Sequence, residues 1–228
     1  MRRARNQGFT LIELLVTLFL VATLFFFALN VDHSSRDKLE GILDRIESSL
    51  RFTVNEAILR NAIVRMNFNL ELEKSSYAVE YSNSSAFVLP EFDKLLSQEK
   101  GSLKEQKKVN KLKDKIDQKF NKVNEMESDE SKEITKPFRI IGVGTSVTDK
   151  LVTEGNISIY VYPTGERDSG IIIIGNDQEV VGLSIEPFTG EFKREYVKIK
   201  SDEIKDGKKD LVEIQEGIAE ELFRNWKQ

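Results

Sequence analysis

Hydrophobic positions change their period several times along this chain. From Phe9 to Leu29 they are nearly continuous, interrupted only by Thr10, Thr17, Thr23 and one acid, Glu13. Those 21 residues at about 1.5 Å rise reach roughly 31 Å, the thickness of a bilayer core. Leu39, Ile42, Leu43, Ile46, Leu50, Val54, Ala57 and Ile58 then recur at three- and four-residue spacing. Arg36, Asp37, Glu40, Asp44, Arg45 and Glu47 fall mostly off that stripe. The pattern predicts one long helix from about Phe9 to Arg60, apolar all round in its first half and amphipathic in its second.

After Arg60 the period becomes two. Val64, Met66, Phe68, Leu70 and Leu72 alternate with Arg65, Asn67, Asn69, Glu71 and Glu73, the mark of a half-buried strand. Ser75-Ser76 reads as a turn, with Tyr77, Val79 and Tyr81 on the return strand and a third short strand at Ala86–Leu89, stopped by Pro90. Glu91 to Lys136 is rich in Lys, Glu, Asp, Gln and Asn. Leu112, Ile116, Phe120 and Val123 give it only a narrow stripe. It predicts a solvated helix near Ser102–Glu127 and a flexible Ser128–Glu133 loop, together forming a surface insertion that the core tolerates or, alternatively, a partner-binding arm. Strands are predicted at Phe138–Val143, Ile157–Tyr162, Gly170–Ile174, Glu179–Ile185 and Glu191–Ile199. Turn residues separate them at Pro163–Glu166, Gly175–Asp177 and Pro187–Gly190. Short hairpins in series imply antiparallel sheet. Leu211, Ile214, Ile218, Leu222 and Phe223 mark a terminal amphipathic helix ending near Trp226. The expected class is α+β: a long N-terminal helix, with a transmembrane half and an amphipathic half, packed on antiparallel sheet.

Charge orients the chain. Arg2, Arg3 and Arg5 precede the apolar run and acids follow it. This arrangement predicts a cytoplasmic N-terminus, with everything after Asn30 on the far side of the membrane. A secretory signal peptide has a shorter apolar region and a small-x-small cleavage site, and Phe25–Asn30 offers none. With 34 Lys and Arg against 38 Asp and Glu, the chain is acidic overall, and basic and acidic residues intermix in the insertion. No nucleic-acid partner is expected.

Candidate chemistry is sparse. There is no cysteine and one histidine, His33. No Ser/His/Asp set, phosphate loop or metal-spaced cluster occurs, and Gly142-Val143-Gly144 lacks the rest of a nucleotide fingerprint. Asp202, Glu203, Asp206 and Asp210 lie among Lys205, Lys208 and Lys209 without calcium-loop spacing, and read as a solvated charged segment. The expectation is a structural protein with no enzyme activity, no cofactor and no metal. Glu13 is the exception to this blandness. A carboxylate one turn inside an apolar helix costs a few kcal/mol on insertion scales and is a functional hypothesis by default.

Gly8-Phe9-Thr10-Leu11-Ile12-Glu13-Leu14, behind a short basic leader, resembles the prepilin motif of type IV pilins and type II secretion pseudopilins. The resemblance implies cleavage by a prepilin peptidase between Gly8 and Phe9, N-methylation of Phe9, and retention of Glu13 for assembly. Each implied role has a physical basis. Glycine lets a protease approach the backbone closely. Cleavage would create a terminal amine at Phe9, and Glu13 of a neighbouring subunit can pair with it. Removing Arg2, Arg3 and Arg5 takes the 34 basic residues to 31 against 38 acidic ones, a net charge of −7.

Ile157–Gly165, Ser169–Ile174 and Val181–Gly190, with Leu50–Arg60, are similar to the globular domain of minor pseudopilin H of type II secretion and related minor pilins. The resemblance implies a leader at 1–8, a transmembrane helix at 9–30, and a periplasmic pilin-like domain at 31–228 carrying the charged helical insertion at 91–136. It implies a single-pass inner-membrane protein in a periplasmic pilus-like filament that assists export across the outer membrane. Its partners would be other pseudopilins, the prepilin peptidase and the inner-membrane assembly platform. The alternative is a minor pilin of a type IV pilus, for adhesion, motility or DNA uptake.

Overall fold

The computed structural model describes residues 10–30, 34–72, 74–82, 111, 115–123, 132–187, 189–200 and 210–228. Met1–Glu40 and Gly41–Gln228 form two compact units.

The first unit contains helix α1 (Leu11–Asn30) and the start of helix α2 (Ser34–Arg60). Leucine, valine and phenylalanine cover α1 on every side as far as Phe25, where its described side chains end, and they are exposed, Leu11 at 80% and Phe19 at 66%. Both predicted halves of the long helix are present, on either side of residues 31–33, which are not among those described.

The second unit is built on two antiparallel sheets. In the first, β1 (Val64–Leu70) lies between β2 (Lys74–Ser82) and β6 (Gly155–Val161). The outer edge of β2 is shared by two short strands, β3 (Phe120–Lys122) and β4 (Glu133–Thr135). The second sheet has the order β5 (Arg139–Thr145), β7 (Gly170–Gly175), β8 (Glu179–Ile185) and β9 (Phe192–Lys198). Helix α3 (Leu211–Lys227) closes the chain.

Both faces of the second sheet are covered, which is why β7 and β8 read as continuous apolar runs. Ile171, Ile173 and Val180 point to α3 and pack with Ile214, Ala219, Leu222 and Phe223. Val181, Leu183 and Ile185 point the other way, beside Tyr196, Arg194 and Phe192 of β9. There Arg194 bridges Asp44 and Glu47 of α2 at 2.6 Å each. Burial alone would lower the Arg194 pKa, but the hydrogen bonds it donates to Asp44 and Glu47 outweigh this and hold the guanidinium charged. Further along α2, Ala57, with Phe52 and Val54 beside it, packs on Val64, Val79 and Val161 of the first sheet. One helix face therefore spans both sheets.

Close approach of α3 depends on Gly144. A Cβ there would collide with the ring of Phe223. A bulge between Ile140 and Gly142 shifts the register of β5, so that Ile141 joins the cluster beneath α3.

The segment 91–136 departs from expectation where it is described. Ile116, Phe120, Val123 and Ile134 are buried, and the expected solvated helix gives way to strand β3 at Phe120–Lys122. The reason is the edge of β2, whose unpaired N–H and C=O groups take up β3 and β4. Of the charged helical insertion expected at 91–136, the described Phe120–Lys122 and Glu133–Thr135 belong to the sheet, and Lys115–Asp117 are helical with Ile116 buried. The Ser75-Ser76 turn is corrected too. Both residues lie inside β2, where the buried Ser75 Oγ accepts a hydrogen bond from the Ile140 N–H at 3.0 Å. Leu72 and Ile58, expected on apolar stripes, are more than half exposed. The predicted strand at Ala86–Leu89 lies outside the described residues.

Candidate functional site: the start of helix α1

Gly8 and Phe9 lie outside the described residues, and Glu13 lies in the first turn of α1. Thr10 precedes the helix and caps it. Its carbonyl accepts the Leu14 N–H at 3.2 Å, and its Oγ1 accepts the Glu13 N–H at 3.4 Å. Thr10-Leu11-Ile12-Glu13 is therefore a capping box in sequence, with threonine at the N-cap and glutamate at the third helical position. The pattern was readable from the residues alone but is hidden beneath the cleavage motif that overlaps it. A carboxylate at this position also meets the positive end of the helix dipole.

The other polar groups of α1 are satisfied within the helix. Thr17 Oγ1 donates to the Leu14 carbonyl at 2.9 Å, and Thr23 Oγ1 reaches the Phe19 and Leu20 carbonyls at 2.9 Å each. Two potential liabilities in an apolar surface are neutralised locally in this way. The Glu13 carboxylate is different: it has no basic partner among the described residues. The site is thus an exposed apolar rod with one uncompensated acid near its tip. Such an arrangement can receive a cation.

Over the residues whose side chains are described, which end at Phe25 in α1, no helix is long and apolar enough to cross a membrane. The α1 backbone runs 20 residues, to Asn30.

Elsewhere, one charged network escaped sequence reasoning. Arg65 stands on the polar side of β1 in the alternation, yet it is 3% exposed. It bridges Glu80 at 2.6 Å and Asp117 at 2.7 Å and lies 4.2 Å from the centre of the Phe120 ring. Burial alone would lower its pKa; Glu80 and Asp117 raise it. The clue was Phe120, whose ring needs a neighbour that a solvated helix would not supply. Nearby, burial raises the Asp168 carboxyl, although it accepts a hydrogen bond from the Tyr160 N–H at 3.2 Å. Burial, and then Asp168, push the Tyr162 hydroxyl up to about 12. These groups are bound to one another and lock the sheet.

Of the acids weighed as calcium ligands, Asp202, Glu203 and Asp206 lie outside the described residues, as does His33. Asp210 precedes α3 without a side-chain cap bond. Among the described residues no group of three or more metal-ligating side chains occurs. Gly142 and Gly144 serve packing, against Leu151 and Phe223.

No curated relative and no solved structure matches the chain. Residues 3–29 match the prokaryotic N-terminal methylation motif, the signal of type IV pilins and pseudopilins, so the chain is similar to that class through its leader and α1.

Proposed function

We propose that this chain is a structural subunit of a pilus-like filament, held in the inner membrane until a prepilin peptidase cuts between Gly8 and Phe9. The observation that carries the reading is Glu13, an acid without a basic partner on an apolar helix inside a matched methylation motif. A membrane helix is the environment in which exposed leucine and phenylalanine on every side cost nothing. The leader arginines support a cytoplasmic N-terminus and a periplasmic globular unit. Within the class, the similarity of the sheet segments to minor pseudopilin H favours a type II secretion system and export of proteins across the outer membrane. The partners are then other pseudopilins, the peptidase and the assembly platform.

The experiment is Glu13→Leu. It makes the span more apolar, so insertion holds, and Gly8 and Phe9 remain, so cleavage continues. What disappears is the partner for a neighbour's Phe9 amine, and an uncompensated buried charge costs on the order of 3–5 kcal/mol. Processed subunit accumulates in the inner membrane, and crosslinks between subunits fall away. Glu13→Asp, with its shorter reach, is intermediate. Parent-level crosslinking of Glu13→Leu contradicts the pairing.

A further inference from the structure

The polar face of the first sheet floors a cavity of about 350 Å³. Arg65 and Asn67 of β1 stand opposite Tyr160 and Ser158 of β6 in the register, and all four line it. The β5–β6 connection, the residues before β3 and the β6–β7 connection supply the walls.

Three carboxylates line this cavity, Asp117, Glu154 and Asp168, against one cation, Arg65. The guanidinium is already taken, by Glu80 at 2.6 Å and Asp117 at 2.7 Å. Glu154 is exposed and has no basic partner among the described residues. Asp168 is half-buried; it accepts the Tyr160 N–H at 3.2 Å and forms no ion pair among the described residues. Burial raises its pKa, and no cation opposes the rise. Lysines neighbour the lining residues along the chain or across strands, at Lys115, Lys119, Lys122 and Lys150, but all four are exposed and none lines the cavity. Lys227 donates to the Thr148 carbonyl and does not line it either.

A second observation is independent of the charges. Thr145, at the end of β5, lines the same cavity and is 2% exposed, yet its Oγ1 finds no hydrogen-bond partner. Buried hydroxyls are normally satisfied, so this one is an open acceptor. The cavity is thus rich in acceptors and short of donors. An ammonium group supplies three donors, one positive charge and no acceptor. Ile116, Val147 and Val152 add apolar wall, which suits the methylene stem that carries such a group. A bare metal ion fits less well, because no three acids among the described residues lie close enough to share one.

We propose that this cavity binds a primary alkylammonium group, either the side chain of a lysine on a protein partner or a free aliphatic diamine. The ammonium sits between Asp168 and Glu154, and its stem lies along Ile116 and Val152. The site is independent of the filament reading and adds a binding function to the globular unit.

Ligand-observed saturation-transfer NMR tests this on the full-length chain in detergent micelles, with empty micelles subtracted. The probes are Nα-acetyl-lysine methylamide, cadaverine and, as the uncharged control, Nα-acetyl-norleucine methylamide. At least one amine should bind about tenfold more tightly than the norleucine compound. A signal from the lysine compound alone assigns the cavity to a protein side chain, and one from cadaverine alone to a free diamine; either supports the proposal. Asp168→Asn should weaken binding about tenfold. Glu154→Lys should do the same, and because Glu154 is exposed this variant keeps the parent's melting midpoint. Glu213→Lys, at an exposed acid on α3 outside the cavity, should leave binding within about twofold. Equal binding of amine and norleucine probes, no binding of either amine, or an equal loss with Glu213→Lys overturns the proposal.

Discussion

Thr10 and Glu13 divide the work at the tip of α1. The threonine hydroxyl serves its own helix, bonding the Glu13 N–H, while the carboxylate is left for a cation. Thr10→Val removes the cap without adding bulk. Loss of such a cap costs about 0.5–2 kcal/mol of helix stability. Circular dichroism of a Phe9–Asn30 peptide in micelles should show fraying that Thr10→Ser reverses. At Arg65 the stakes are larger. Arg65→Met leaves the Glu80 carboxylate nearly buried, its side chain 12% exposed, without a counterion. Breaking a buried pair this way typically costs about 3–5 kcal/mol, less here because Asp117 is half in water. The midpoint of a thermal melt should fall by several degrees. Tyr162 gives a signed pH dependence. Its hydroxyl is an acid whose folded pKa is raised from 10.0 to about 12. Below pH 10 it is neutral in both states. Between pH 10 and about 12 the unfolded chain ionises first, so stability falls as pH rises. Tyr162→Phe lacks this loss, and its melting midpoint should gain on the parent's across that window.

Among elements, the described residues 115–123 and 132–135 carry more of the fold than their composition suggests. Phe120 meets Tyr160 edge-on at 6.0 Å, and β3 and β4 complete the edge of β2. Phe120→Ala should cost about 3–5 kcal/mol. Deleting residues 115–135 should leave the protein unable to melt cooperatively, as followed by calorimetry. The alternating strands and the two amphipathic helices were legible, because their periods of 2 and 3.6 survive whatever packs on them. Strand β8 matches its predicted limits of Glu179–Ile185, and α3 begins at the expected Leu211. Strands β3 and β4 were not legible. Each is three residues long, too short to show a period, and each is recruited by a distant edge rather than by its own residues. The buried Arg65 was hidden for the same reason, since the residues that cover it come from that segment. Gly144 read as half of a weak nucleotide motif, whereas its role depends on Phe223, nearly eighty residues further along. Gly144→Ala should overpack that contact, at a cost of about 1–3 kcal/mol that Phe223→Leu relieves.

For the whole molecule, the matched motif ends at residue 29, and no group of three or more metal-ligating side chains occurs among the described residues of the globular unit that follows. What the chain does carry is a first helix that is apolar on all sides as far as its side chains are described, with a single acid, Glu13, in its first turn. Both features suit a protein whose work is to stand beside copies or relatives of itself. The central claim is the processing that releases it to do so. Intact-mass analysis of the full chain, coexpressed with a prepilin peptidase and recovered from membranes, tests this most directly. The account predicts a protein shorter by Met1–Gly8, with a methylated amine on Phe9, and an unshortened chain when Gly8→Leu is introduced. An intact Met1 in subunit complexes, or a cut near Leu29, would contradict it.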